Sequence, residues 1–269
     1  MGLHLLLIAY EFPPIESAQG LRWGYLAREL ARRGHSLDVV TADLGLPSSS
    51  SFAHPALRVH PAFPGPFVGT SRWIATRQRR GISDDVQSTH AAAQAGGIAE
   101  RAYRGARAML DRILIPDVRS EWRPWGLSAA RERMRDRRPD LILASHEPGV
   151  DLSIACALSR SSGVPAVADL GDPLLASYAP RWRRRIDARA EKRWLSAMRA
   201  LTVTTDATRD LLRGRAAVAA DIPIEVLPQG FDSDPGTEEL ADLFDPSRFE
   251  LLYTGTLYAD FRDPQPLLD

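Results

Sequence analysis

The chain has 269 residues, 44% of them hydrophobic and 25% charged, enough for one large globular domain or one domain and part of another. Its 34 basic and 34 acidic residues balance, which argues against nucleic acid as a partner. Cys156 is the only cysteine, so neither an intramolecular disulfide nor a cysteine metal site can form. The six histidines show no close pairing of the zinc-helix kind, and we expect no protein-bound metal.

The first elements predict a strand–loop–helix–strand unit. Leu3–Ala9 is a continuous apolar run, typical of a strand covered on both faces. It is too short for a membrane span, and it lacks the basic leader of a signal peptide. Apolar residues at helical spacing follow and stop before Gly34, and Ser36–Thr41 predicts the second strand. The helical positions are Leu21, Tyr25, Leu26 and Leu30. Such a unit requires a right-handed parallel crossover.

The next stretch is less regular. Prolines, glycine and a run of serines interrupt residues 45–90, which therefore predict a loop-rich insertion without regular elements. A helical tract at about 91–113 and a tryptophan-bearing connector at 116–126 follow, and the connector leads into a helix that ends near Arg138.

Strands and helices then alternate again. The pattern predicts strands at 140–144, 164–168, 200–204 and 224–227, with helices at 149–159, 181–195 and 207–213. Alternation of this kind predicts a doubly wound, Rossmann-like parallel sheet with helices on both faces.

The carboxyl-terminal part predicts a second domain. We expect one domain over residues 1–233, a polar linker over 234–248, and the first strand and loop of an incomplete domain over 249–269. The run Phe249–Thr254 predicts a buried strand, and an unpaired strand there would tend to pair or swap.

Three loops that follow predicted strands hold the candidate site residues. Ligands of open parallel sheets collect outside the carboxyl ends of the strands, where helix amino termini favour phosphate. The loop Tyr10–Arg22 contains Gly20, which would allow close backbone approach, although no dinucleotide fingerprint is present. The segment Ser145–Gly149 places His146 at a strand end, and Asp169–Pro173 supplies two carboxylates or a turn. In each loop a structural role is the alternative.

Tryptophan and arginine clusters leave two interpretations open. Trp182, Ile186, Ala190 and Trp194 repeat every four residues beside a nearly continuous run of arginines from Arg181 to Arg185. This stripe fits either a core-facing helix with a solvated basic face or an edge that touches anionic lipid. Trp122 and Trp125 likewise suit either packing or the wall of an acceptor cleft.

Taken in order, these motifs resemble family 4 of the retaining glycosyltransferases, which have the GT-B architecture of two facing Rossmann-like domains. The resemblance covers nearly the whole chain. The matching stretches are 10–22, 34–41, 115–117 with Trp122, 145–148, 169–173, 191–205, 227–232 and 252–264.

The resemblance implies transfer of a sugar, of the hexosyltransferase type, from a UDP- or GDP-sugar without a bound metal. It implies donor diphosphate contacts at Gly20 and Gly255, and it places His146 beside the reacting sugar as the catalytic residue. It assigns the acceptor side to Glu16, Arg22, Asp172 and Trp122. The expected acceptors are glycans or lipid-linked glycans of cell-envelope polysaccharide or glycolipid synthesis.

The sequence departs from the family pattern at three points. Gln19 stands where the family usually has the first of two glycines, and Gln229 stands for an asparagine. In the family the second domain supplies an arginine and a lysine for the donor phosphates and two glutamates eight positions apart. Here no lysine and no paired glutamates follow Glu250, and the lone lysine, Lys192, lies in the first domain. We therefore expect an acceptor-side half whose donor half is missing or encoded separately.

Two further functions stay open. The chain fits a non-catalytic module that binds an acceptor or pairs with a separate carboxyl-terminal half, and it fits, less well, a GT-B sugar-nucleotide epimerase. In either case we expect a cytoplasmic protein, with peripheral contact at the inner face of the plasma membrane left open.

Overall fold

The computed structural model describes most of the first 230 residues and little beyond them. The described residues are 2–15, 17–46, 51–69, 109, 114–115, 118–175, 181–215, 218–230, 247–253 and 265. The chain divides into two compact units, Met1–Gly230 and Phe231–Asp269. Apart from residue 109, the predicted helical tract at 91–113 lies outside the described residues, and so does most of the predicted linker.

The first unit is built on seven parallel strands with helices between them. In chain order the elements are β1 (His4–Ile8), α1 (Ala18–Arg32), β2 (Ser36–Ala42), β3 (Leu57–Ala62), a 3₁₀ turn (Val118–Trp122), α2 (Arg123–Asp136), β4 (Leu141–His146), α3 (Val150–Ser162), β5 (Ala166–Leu170), α4 (Arg181–Leu195), β6 (Ala200–Val203), α5 (Asp206–Gly214) and β7 (Ile224–Val226).

The strand order is β3-β2-β1-β4-β5-β6-β7. Strand order therefore reverses between β1 and β4, whose carboxyl ends border the crevice where ligands of doubly wound sheets bind. The predicted fold class is confirmed: this is the Rossmann-like sheet expected of a GT-B amino-terminal domain.

Two hydrophobic clusters cover the two faces of the sheet. The larger one combines one set of alternating strand residues with α2, α3, α4 and α5, and it includes Cys156 at 4% exposure. The smaller one combines Leu5, Leu7, Leu37 and Val39 with α1. Because successive strand residues point to opposite faces, the continuous apolar run of β1 supplies both clusters.

Helix α1 packs on a different face from the one that the apolar spacing predicted. Trp23, Ala27 and Ala31 are buried, whereas Leu21 is 43% exposed. Leu26 and Leu30 pack only at the edge of the smaller cluster. Because small side chains let the helix backbone approach the sheet closely, α1 packs with Ala27 and Ala31 against the sheet and not with its leucines.

Strand β3 corrects the prediction that residues 45–90 hold no regular element. Leu57–Ala62 pairs in parallel with β2, and Pro61 lies opposite Thr41. At the edge of a sheet one side of the strand needs no backbone donor, so proline is tolerated there. Proline therefore marked an edge strand and not a loop.

The predicted buried strand at 249–254 is not observed in the part that the structure describes. Residues 249–253 have no regular secondary structure, and Phe249 is 90% exposed. A parallel strand becomes buried only when neighbouring strands and helices cover it. No described helix is both long and apolar enough to cross a bilayer.

Candidate functional site

The loop after β1 satisfies its own hydrogen bonds. Ser17 caps α1: its Oγ accepts from the Gly20 N–H at 2.9 Å, and its carbonyl accepts from the Leu21 N–H at 2.9 Å. A Cβ on Gly20 would lie 2.8 Å from the Ile15 carbonyl oxygen. The loop thus needs glycine at position 20 for its own packing, and the Gly20 N–H already has a partner. Diphosphate binding at Gly20 stays a prediction.

Arg22 lies beneath that loop and is not open to solvent. The Arg22 and Asp169 side chains are 4% and 3% exposed and form a bidentate pair, with Nε–Oδ2 at 2.9 Å and Nη2–Oδ1 at 3.0 Å. The guanidinium also donates to the carbonyl oxygens of Leu227 and Pro228, at 2.8 and 3.0 Å, and to Gln229 Oε1 at 3.4 Å. Acceptor binding by Arg22 would require breaking this set.

Asp169 is the centre of the buried polar cluster. Besides Arg22 it accepts hydrogen bonds from Gln19 Nε2 at 3.2 Å and from Thr202 Oγ1 at 2.6 Å. It joins α1, β5 and β6 and is buried, whereas Asp172, the second carboxylate of this segment, is exposed. Arg22 and Asp169 are 147 residues apart, so no local pattern indicated the pair.

His146 is the last residue of β4 and is 3% exposed. Burial lowers the pKa of His146 to about 4, and a hydrogen bond with the Asp172 backbone and the charge of Asp169 oppose that effect. The ring is therefore neutral at neutral pH. Its Nδ1 is enclosed and has no hydrogen-bond partner among the residues described, and the same holds for Ser145 Oγ. Buried polar atoms without partners are rare and call for a functional or structural explanation.

The loops after β4 and β5 are joined at this point. The Gly171 N–H donates to the His146 carbonyl oxygen at 3.1 Å, and Thr204 Oγ1 donates to the Gly171 carbonyl oxygen at 2.8 Å. Asp172 follows on the surface, with an exposed side chain. The structure therefore brings His146 and Asp172 together at the carboxyl edge of the sheet.

Trp122 lies in the core and not on a cleft wall. It is 0% exposed and meets the Tyr10 ring edge-on, with centroids 5.3 Å apart. A Cβ on Gly126 would lie 2.8 Å from the Trp122 ring. This packing favours the structural alternative for Trp122. Glu16 and Gly255 lie outside the described residues.

Two cavities flank Phe12 and Pro13 of the Tyr10–Arg22 loop. One of about 420 Å³ lies between Phe12, Pro13 and Phe52, and one of about 320 Å³ lies between Pro13, Ile15 and Leu46. Both share Val59 of β3 and are mainly apolar. In the described ranges, no three acidic, histidine or cysteine side chains are grouped so that they could hold a metal ion.

An open seven-stranded parallel sheet with polar side chains gathered at its carboxyl edge defines a Rossmann-like domain of the GT-B type. The sequence profile of Glycosyltransferase Family 4 matches residues 89–235, more than half of the chain. The chain belongs to Glycosyltransferase Family 4.

Solved structures share the fold at low identity. Sucrose-phosphate synthase from Thermosynechococcus elongatus is 14% identical, with a TM-score of 0.50 over 85% of this chain and 90% of that one. Anabaena HepE, solved with UDP and glucose, is 14% identical, with a TM-score of 0.45 over 86% of this chain and 45% of that one. The kitacinnamycin glycotransferase is 14% identical, with a TM-score of 0.42 over 95% and 60%.

At such identity the first similarity establishes the fold alone. The chain spans about half the length of HepE and somewhat more of the kitacinnamycin enzyme. No curated protein matches the chain.

Proposed function

We propose that this chain is the acceptor-side half of a retaining glycosyltransferase of the hexosyltransferase type, with a UDP- or GDP-sugar as donor and no protein-bound metal. Family membership supports sugar transfer. The proposed acceptor is a glycan or lipid-linked glycan of the cell envelope.

The buried neutral imidazole of His146 carries this proposal. A ring whose pKa is about 4 stays uncharged at neutral pH, and contact between its Nδ1 and a sugar would require the residues that enclose this atom to move aside. Asp172 supplies an exposed carboxylate one residue beyond Gly171, whose N–H makes the loop contact with His146. Together they offer one neutral group for the reacting sugar and one charged acceptor for hydroxyls of the incoming substrate.

The test is substitution of His146 in the enzyme joined to its donor half. His146→Ala should lower kcat by about 10²-fold or more, because positioned acid–base groups contribute that much. His35→Ala, a histidine whose ring accepts from the Leu3 N–H far along the chain from β4, is the matched control. Full activity of His146→Ala would remove the assigned role.

The donor-binding groups provide a second, independent test. Departure of a nucleoside diphosphate requires preorganised positive donors, and Arg and Lys supply them best. We expect the reading frame after residue 269 to encode an R-x₄-K segment and an E-x₇-E segment. A stop codon with neither would contradict the enzyme proposal.

A non-catalytic acceptor-binding module is the second candidate, and the β1–α1 loop favours it. The first turn of α1 is capped by Ser17, and the Arg22 side chain is buried against Asp169. Without a further domain, this loop therefore has few groups available to bind a phosphate. Titration calorimetry with UDP- and GDP-sugars distinguishes the two functions. Binding by this chain supports the enzyme, and no heat with any donor leaves the module or its pairing with a separate donor half.

Helix α4 supports a peripheral site at the inner face of the plasma membrane. The predicted core stripe is buried only at its end: Trp194 is 8% exposed, whereas Trp182 is 55% and Ile186 is 36% exposed. Arg184 and Arg185 are exposed beside them. Exposed aromatic and aliphatic groups next to arginines are the pattern of an interfacial helix on anionic lipid.

Vesicle sedimentation tests that contact. The chain should bind phosphatidylglycerol vesicles more than phosphatidylcholine vesicles, and Trp182→Ala with Ile186→Ala should abolish the difference. Leu211→Ala, at a residue of α5 that is 39% exposed, is the matched control. Equal binding to both lipids would contradict the proposal.

A further inference from the structure

The chain leaves the sheet after β7 along a segment that would otherwise have little to hold it. The Leu227 N–H makes a last ladder bond to the Val203 carbonyl oxygen at 2.7 Å. Leu227, Pro228, Gln229 and Gly230 are all exposed. Beyond that ladder bond, the hydrogen bonds that reach the exit segment, defined as residues 227–229, come from Arg22 among the described residues.

Arg22 uses its whole donor set in this arrangement. A guanidinium has five N–H groups in a planar fork. Three contacts go to the exit segment, and the two remaining ones go to Asp169. No N–H is therefore left for a substrate, which separates this role from the acceptor contact that the sequence suggested.

The buried pair gives the exit segment a rigid anchor. Asp169 accepts from both arms of the fork and is itself held by Gln19 and Thr202, so the guanidinium plane has one orientation. A bidentate pair orients its partner far better than a single ammonium would, because the fork cannot rotate without losing bonds. The anchor is thus part of α1, β5 and β6 at once.

We propose that Arg22 is a positioning residue: it fixes the course of the exit segment as the chain leaves the sheet after β7. The proposal goes beyond the proposed function, because it concerns how this segment is held and needs no sugar chemistry. The same Asp169 that holds Arg22 lies in β5, just before the loop whose Gly171 bonds to His146. The exit direction and the His146 loop therefore share one anchor.

A nitroxide spin label at position 230 tests this without any sugar chemistry. Gly230→Cys suits the label, because a Cβ there meets nothing within 4 Å, and the native Cys156 is buried. We expect a motionally restricted spectrum with Arg22 in place. Arg22→Met should release the segment and shorten the correlation time by about threefold or more, as for a loop that moves on the nanosecond scale.

Arg22→Lys keeps the test decisive if the Met variant does not fold. Lysine retains the charge beside Asp169, but one ammonium cannot hold both carboxylate oxygens and the exit carbonyls. It should therefore also mobilise the label. The matched control is Arg183→Met, which removes the Arg183–Asp187 ion pair of α4 (Nε–Oδ1 3.1 Å) and should leave the spectrum unchanged.

Two results would overturn the proposal: a label that stays restricted in Arg22→Lys, or an Arg183→Met variant that mobilises it equally. In the joined enzyme, Arg22→Lys should lower kcat and leave the acceptor KM unchanged, whereas a raised KM alone would restore the acceptor role. The spin-label result does not depend on whether the chain transfers sugar. Failure of the positioning role of Arg22 can therefore be distinguished from failure of the proposed function.

Discussion

The loop after β1 and the loops after β4 and β5 lie at the same edge of the sheet but differ in how completely they are hydrogen-bonded. In the first, Ser17, Gly20 and Arg22 have partners within the chain. In the second, His146 Nδ1 lacks a partner in the described part of the chain, and the Asp172 side chain is exposed. The two loops therefore differ in hydrogen-bond completeness, although the enclosed Nε1 atoms of Trp23 and Trp122 also lack partners in the described part of the chain.

Loss of the Asp169 carboxylate should have the largest effect. Asp169→Ala leaves the guanidinium of Arg22 buried without its counter-charge, and breaking a buried pair in this way costs about 3–5 kcal/mol of unfolding free energy. Urea unfolding followed by circular dichroism measures it. A loss below about 1 kcal/mol would show that the first loop is not held by this pair.

Acid should destabilise the fold through His146. In the unfolded chain the pKa is near 6.5, and in the folded chain it is about 4. Between these two pH values the unfolded state binds more protons than the folded state. The contribution of His146 to the unfolding free energy is therefore fully present above pH 6.5 and is lost as the pH falls towards 4, by about 3 kcal/mol in total.

Unfolding curves of the parent and of His146→Asn between pH 7.5 and 4 measure this loss. Burial also lowers the pKa of His4, so both proteins lose stability in acid and only their difference reports His146. A constant difference across this range would contradict a buried neutral ring.

Gly20→Ala should cost about 1–3 kcal/mol, because its Cβ meets the Ile15 carbonyl oxygen and Ser17 Oγ in a packed loop. Gly230→Ala is the matched control, since no atom lies within 4 Å of its Cβ. Thermal unfolding of both variants compares them. If the two variants were equally stable, the first loop would have space at Gly20 in which a ligand could contact the backbone.

Asp172→Ala should change stability least, by no more than about 0.5 kcal/mol, because the side chain is exposed. Its expected effect is on acceptor binding, measured by calorimetry with candidate glycan acceptors. If the acceptor affinity were unchanged, His146 alone would remain as the candidate site residue of the loops after β4 and β5.

Much of the fold was readable because buried parallel strands carry continuous apolar runs. Leu3–Ala9 predicted β1, and the helix predicted at 181–195 matches α4 residue for residue. Strand β3 escaped because Pro61 is acceptable only at an edge, and edge position is a property of the assembled sheet. The packing face of α1 could not be predicted from the spacing of its large apolar residues, because the buried positions include the small residues Ala27 and Ala31.

The sequence by itself determined the doubly wound architecture, the family and the strand ends where polar residues gather, since these depend on local periodicity and ordered motifs. The tertiary structure decided which polar residues remain available. Arg22 meets Asp169 across 147 residues, and Trp122 packs on Tyr10. The free energy of burying a charge depends on partners that only the folded chain supplies. An arginine for which the sequence suggests substrate binding can therefore have a structural role in the folded chain.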